Sequence, residues 1–180
     1  GVMVDGKRME DIPVGAFGNV ADNGCAAIAT YNLMIFHGYK PTFKTVLDSL
    51  VIMRGGNKAE RAWNAVGIGG ILPFTVKRYL KNYFEDVKSK FWWGWENIVK
   101  RSRGIITLFQ WPGKGKRMHY VAGITKASGK KIKFYSSFLD DYKNNFISIS
   151  EYMRLLKKEG CKRKYIISIG KRKKERDCFH

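Results

Sequence analysis

The hydrophobic period of this chain changes at Gly104, and that change restricts it to one class of fold. Ahead of Gly104 apolar residues recur every three or four positions; beyond it they recur mostly every second one, so helices come first and a sheet follows. Ile28, Tyr31, Asn32, Ile35 and Phe36 predict a helix over Ala26 to Phe36, with Asp22 or Asn23 to cap it and Gly38 to end it. Phe43, Val46, Leu47, Leu50 and Val51 predict a second, capped by Thr42 and broken by Arg54 to Asn57. The glycine-rich stretch Trp63 to Leu72 reads as a loop, and Pro73 opens a third helix carrying Val76, Tyr79, Leu80 and Tyr83. Phe91 to Lys100 is dense in aromatics and fits either period. Beyond Gly104, Ile105 to Trp111, Met118 to Thr125 and Lys131 to Ser136 predict three strands joined by short turns, hence an antiparallel meander. Ser148 and Glu151 form a capping box for a helix ending near Gly160, and Tyr165 to Ile169 predicts a last strand. The expected product is an α+β domain, N-terminal helices packed on a C-terminal antiparallel sheet.

At 180 residues and 44% hydrophobic content the chain suits one compact domain, read as residues 1–170 followed by a basic tail, 171–180, expected to fray. No apolar run approaches the ~20 residues of a membrane span, and Gly1 to Gly15 carries charges where a signal peptide has its apolar stretch, so the chain reads as soluble. Gly1 in place of an initiator Met is what a processed or recombinant start leaves, and both a cytoplasmic and an exported location stay open. Lys and Arg number 34 against 15 acids, a net charge of +19 that points to anionic partners: nucleic acid, acidic polymers or lipid headgroups. Three widely spaced cysteines, at 25, 161 and 178, argue against a disulfide framework and leave Cys161 to Cys178 as the one bridge open apart from Cys25. A zinc site from Cys161, Cys178 and His180 would lack both the paired short spacings and a fourth ligand.

Cys25 stands apart from the other two. It follows Asn23 and Gly24 at the start of the first helix, where the unpaired N–H groups of the first turn favour a thiolate, and Gly24 lets substrate backbone approach. His119 lies on the second strand of the meander, on the face of Val121 and Gly123. A lone Cys at a helix start is more often structural, and a lone His on such a face is more often packed than reactive. Neither residue alone points to chemistry. His37 sits near a helix end, where it meets the dipole, and His180 is the last residue.

The segments Asn23-Gly24-Cys25-Ala26 and His119-Tyr120-Val121-Ala122-Gly123 resemble those of the papain-like cysteine peptidase superfamily, and within it the peptidase domains that process bacteriocin precursors and related bacterial proteins. The resemblance runs roughly from Val14 to Ile169. It implies a papain-like fold, Cys25 as nucleophile, His119 as base, and Asn19, six positions ahead of Cys25, at the oxyanion position where the family usually has Gln. The family's third residue is an Asp or Asn at the end of the strand after the His strand. A hairpin turn centred between Ser128 and Gly129 pairs Val121 with Ser136 and His119 with Phe138, so Ser136 falls at that position. A serine hydroxyl accepts from an imidazole N–H but brings no negative charge; Asp140 or Asp141, just beyond, are the alternatives.

The implied reaction is acyl transfer from a peptide or protein substrate through a Cys25 acyl-enzyme, with no metal or organic cofactor. Hydrolysis and transfer to an amine use the same residues and stay undivided at this point. Two other classes stand beside it: a binding domain for nucleic acid or another anionic polymer, and a papain-like module that has lost catalysis and binds peptide in the old cleft. Gly67 to Gly70 reads first as a flexible connector and second as a place for substrate to lie close. The tryptophans at 92, 93, 95 and 111 read first as cover for the sheet and second as the wall of a cleft.

Overall fold

The structure, a computed structural model, describes residues 3–4, 6–14, 16, 18–19, 24–52, 71–113, 117–135 and 145–173. The expected caps Asp22 and Asn23, the breaker Arg54 to Asn57, most of the glycine-rich loop, Ser136, Asp140, Asp141, Cys178 and most of the basic tail lie outside the described residues. Among the described residues, those up to Asn82 form one compact unit and those from Tyr83 a second.

The first unit holds two small antiparallel ladders, β1 (Met3–Val4) with β2 (Lys7–Arg8) and β3 (Pro13–Val14) with β4 (Gly18–Asn19), and three helices that pack on one another, α1 (Cys25–Phe36), α2 (Phe43–Val51) and α3 (Pro73–Leu80). The ends of the helices are local chemistry. Gly38 closes α1 at φ 84°: its N–H donates to the Ile35 carbonyl and that of Tyr39 to the Met34 carbonyl, both at 3.1 Å, the double closure that a left-handed residue permits. The Thr42 hydroxyl accepts from the Thr45 N–H at 3.1 Å and starts α2, while Pro73 occupies the first turn of α3. The face of α1 departs from the expectation. It buries Ala26, Ala27, Thr30, Leu33 and Met34, whereas Ile35 and Phe36 are exposed and Ile28 and Tyr31 only half-buried. This helix is apolar almost all round, so it has no stripe for a period to reveal, and its small residues take the inner face because they allow the closest approach.

The second unit is built on a five-stranded antiparallel sheet in the order β5-β9-β6-β7-β8, from β5 (Lys88–Lys90), β6 (Gly104–Gln110), β7 (Met118–Lys126), β8 (Lys131–Tyr135) and β9 (Lys162–Ile169). The last strand thus runs centrally, between β5 and β6, and begins at Lys162, ahead of the expected Tyr165. The β7–β8 hairpin has the expected register, Gly123 opposite Phe134 and Ala122 opposite Tyr135. Its turn runs through Ala127, Ser128 and Gly129 at φ 54°, 57° and 86°, and a Cβ on Gly129 would lie 1.8 Å from the Val99 carbonyl oxygen. The aromatic segment that fitted either period resolves into a turn and the one-turn helix α4 (Trp95–Ile98), with Trp95 fully buried.

Helix α5 (Ile149–Lys158) starts where the Ser148 hydroxyl accepts from the Glu151 N–H at 3.1 Å and covers one face of this sheet. Its Tyr152 is fully buried, with the ring stacked on Phe134 at 3.9 Å and the hydroxyl 2.8 Å from that of Thr107, itself fully buried. Removing one partner of such a pair leaves the other buried and unsatisfied, a cost of about 1–3 kcal/mol, while removing both is nearly neutral. Tyr152→Phe is therefore expected to lower stability by about 1–3 kcal/mol, and adding Thr107→Val to recover most of the loss. Urea unfolding of the two variants checks both numbers.

Candidate active site

Cys25 is the first residue of α1, in the first unit. Gly24 occupies the N-cap, buried and at φ −92°, ψ 2°, and contributes no side chain to the helix end. The first intrahelical bond is that of the Ile28 N–H to the Gly24 carbonyl, 3.0 Å, so the N–H groups of the first turn have no partner within the helix. No acidic residue stands in that turn to offset its positive potential. Cys25 itself is half-buried, while Ala26 and Ala27 behind it are buried and the Thr30 hydroxyl donates back to the Ala26 carbonyl at 2.7 Å. A thiol placed this way is held at the rim of its unit by a helix that is itself sunk into the core.

Asn19, the expected oxyanion donor, belongs to the same unit. Its backbone lies in β4 opposite Pro13, and its side chain is outside the described residues.

His119 belongs to the second unit, one residue into β7. It lies opposite Phe109 of β6, and the two rings meet edge to face with centroids 5.6 Å apart. Phe109 in turn meets Trp111 in the same manner at 5.3 Å. Strand pairing sets His119 on the face of Val121 and Gly123, and through Phe109 and Val121 that face merges into the core under α5. The histidine occupies the margin of this core, half-buried, between exposed Met118 and buried Tyr120. Gly123 permits the tight strand contact behind it, since a Cβ there would come within 2.7 Å of Ile132. The described part of β8 ends at Tyr135 opposite Ala122. Ser136, Asp140 and Asp141, the three residues considered for orienting the imidazole, lie beyond it and outside the described residues.

The remaining sites of interest in the sequence divide clearly. Cys161 is a buried thiol just ahead of β9, and burial, reinforced by the nearby Glu159 charge, pushes its pKa up; it is a poor nucleophile. His37 is the C-cap of α1. Among the described residues no group of three His, Cys, Asp or Glu is placed to hold a metal ion, and no helix is long and apolar enough to cross a membrane. The tryptophans do not all cover the sheet. Trp95 is buried and Trp111 packs partly against the core, but Trp92 and Trp93 are 62% and 48% exposed and, with Phe91, line a cleft of the second unit. Three successive large aromatics ahead of a glycine were the available signal: no regular element can turn all three to one side.

The chain matches no protein-family model and no curated protein. Among solved structures it is similar to the crystal structure of the Pseudomonas avirulence protein AvrPphB, at 12% sequence identity and a TM-score of 0.32, over 90% of this chain and 100% of that one. The reading of the site therefore rests on the residues of this chain.

Proposed function

We propose that the chain is a cysteine hydrolase of the papain-like type, acting on amide or thioester bonds of a peptide or protein substrate. The observation that carries this reading is the seat of Cys25: the first residue of a twelve-residue helix, half-buried, with no acid in its first turn. His119, half-buried at the margin of the second unit with its ring held edge-on by Phe109, is the base. In this reading residues 1–170 act as one catalytic domain.

The chemistry follows from those roles. The His119 imidazole takes the Cys25 proton, and the thiolate attacks the substrate carbonyl carbon, forming a C–S bond and an oxyanion. The Cys25 backbone N–H and the Asn19 amide donate to that oxyanion. Its collapse breaks the bond to the leaving group, which departs with the proton from His119. Water, activated by the same imidazole, then releases the acyl group and restores the thiol. Ser136 accepts a hydrogen bond from the second imidazole nitrogen, the task Asp140 or Asp141 would take in its place. No cofactor enters the sequence of steps.

Alkylation by iodoacetamide, followed by mass spectrometry of each cysteine across pH, tests the pair. An imidazolium beside the sulfur lowers the thiol pKa, so Cys25 is expected to react at pH values well below the ~8.5 of an ordinary thiol, and His119→Ala to abolish that early reactivity. Cys161, with its pKa raised by burial, is expected to label slowly in both proteins. A Cys25 profile that follows an ordinary thiol and ignores His119 would overturn the assignment. For the oxyanion donor, Asn19→Ala is expected to lower kcat by about 100- to 1000-fold with KM little changed, on whichever fluorogenic peptide or thioester the enzyme hydrolyses. An unchanged kcat removes Asn19 from the site.

A further inference from the structure

The cleft of the second unit has no part in the reaction above. It measures about 990 Å³, at the upper end of cavities that hold compact ligands, and is lined by the turn Phe91–Trp93, by α5 and by the start of β9. The turn is fixed. The indole N–H of the buried Trp95 donates to the Phe91 carbonyl at 2.7 Å, Phe91 stacks on Trp93 at 5.9 Å and meets Tyr165 edge-on at 5.4 Å, and Trp92 meets Trp93 edge-on at 5.3 Å. Three large rings are thus held in place yet left 49%, 62% and 48% exposed, which is the mark of a binding surface.

The charge around those rings is predominantly positive. Arg154, Lys157, Lys162, Arg163 and Lys164 line the cleft, with Glu96 as the one carboxylate among its lining residues. Both guanidinium groups are held by neighbours: Arg154 by the two oxygens of Glu151, Arg163 by the Met153 sulfur at 2.6 Å and the Trp95 ring. Lys157, Lys162 and Lys164 have no carboxylate within ion-pair distance among the described residues.

Fixed aromatic faces in a recess bordered by lysines ask for a ligand with flat rings and regularly spaced negative charge. An acidic peptide has the charge without the rings. A duplex keeps its base faces in its own stack, and a lipid surface calls for rings and lysines on a projection, not in a hollow. We infer that this cleft binds single-stranded nucleic acid, its bases stacking on Trp92 and Trp93 and its phosphates meeting Lys157, Lys162 and Lys164.

The test uses the full chain and a fluorescein-labelled oligouridylate of about twelve nucleotides, read by anisotropy. Saturable binding is expected, with log Kd against log salt giving a slope of magnitude about 2, as three phosphate contacts to a single strand require. Trp92→Ala is expected to weaken binding about tenfold or more and Trp92→Phe much less, with unchanged thermal unfolding. The triple Lys→Gln variant at 157, 162 and 164 is expected to flatten the salt dependence. Quenching of intrinsic tryptophan fluorescence by unlabelled oligouridylate gives the same answer with no substitution. Equal or tighter binding of the matching duplex, indifference to Trp92→Ala, or uptake onto phosphatidylserine vesicles that oligouridylate does not compete with would overturn the inference. Cys25→Ala is expected to bind as the parent does, so this result stands apart from that of the hydrolase reading.

Discussion

The second unit depends on Tyr152. Its ring lies flat on Phe134 of the edge strand β8, and its hydroxyl reaches Thr107 of β6, so one side chain of α5 ties together the two strands that flank β7. Burial pushes the phenol pKa well up, and the group remains a neutral hydrogen-bonding partner for Thr107 throughout the physiological range. On the same strand as Thr107, Phe109 stands opposite His119 in the ladder with β7 and meets its ring edge to face.

The first unit solves a different problem by an opposite device. There the helix that carries Cys25 packs close to its neighbours along its length and leaves its first residue half-buried. Alanines and a threonine supply the closeness: Thr30 spends its hydroxyl on the Ala26 carbonyl and costs the core no unsatisfied group. The larger apolar residues of the same helix, Ile35 and Phe36, are turned outward. Tightness here comes from small side chains and a sharp Gly38 exit, where the second unit uses a large aromatic and a buried hydroxyl pair.

What was legible in the sequence was whatever local chemistry decides. Thr42, Ser148, Pro73 and Gly38 act within a few residues of themselves, and each marks the helix end it was expected to mark. The hairpin register followed from a turn centre alone, because strand pairing propagates it without further information. The inner face of α1 was not legible, since a helix apolar on every side carries no direction. Nor was β5: Lys88, Ser89 and Lys90 have no alternation of apolar and polar residues, and their strand exists because β9 offers them a ladder from far along the chain. For the candidate site, the seats of Cys25 and His119 could be read from helix and strand boundaries. The aromatic neighbour of His119 could not, because Phe109 reaches it across strands.

The way the sheet ends on its two sides has a consequence for how copies of this chain meet. β5 is three residues long, with lysine at both ends, and repels a strand that would extend the ladder. On the other side, Ile147 exchanges hydrogen bonds with Ile132 in both directions, at 2.7 and 2.8 Å, and occupies backbone groups of β8 that would otherwise face outward. One rim is guarded by charge and the other is occupied at Ile132, so both edges resist edge-to-edge recruitment, while the apolar strands Gly104–Gln110 and Lys162–Ile169, strong templates if laid bare, are paired on both sides within the sheet.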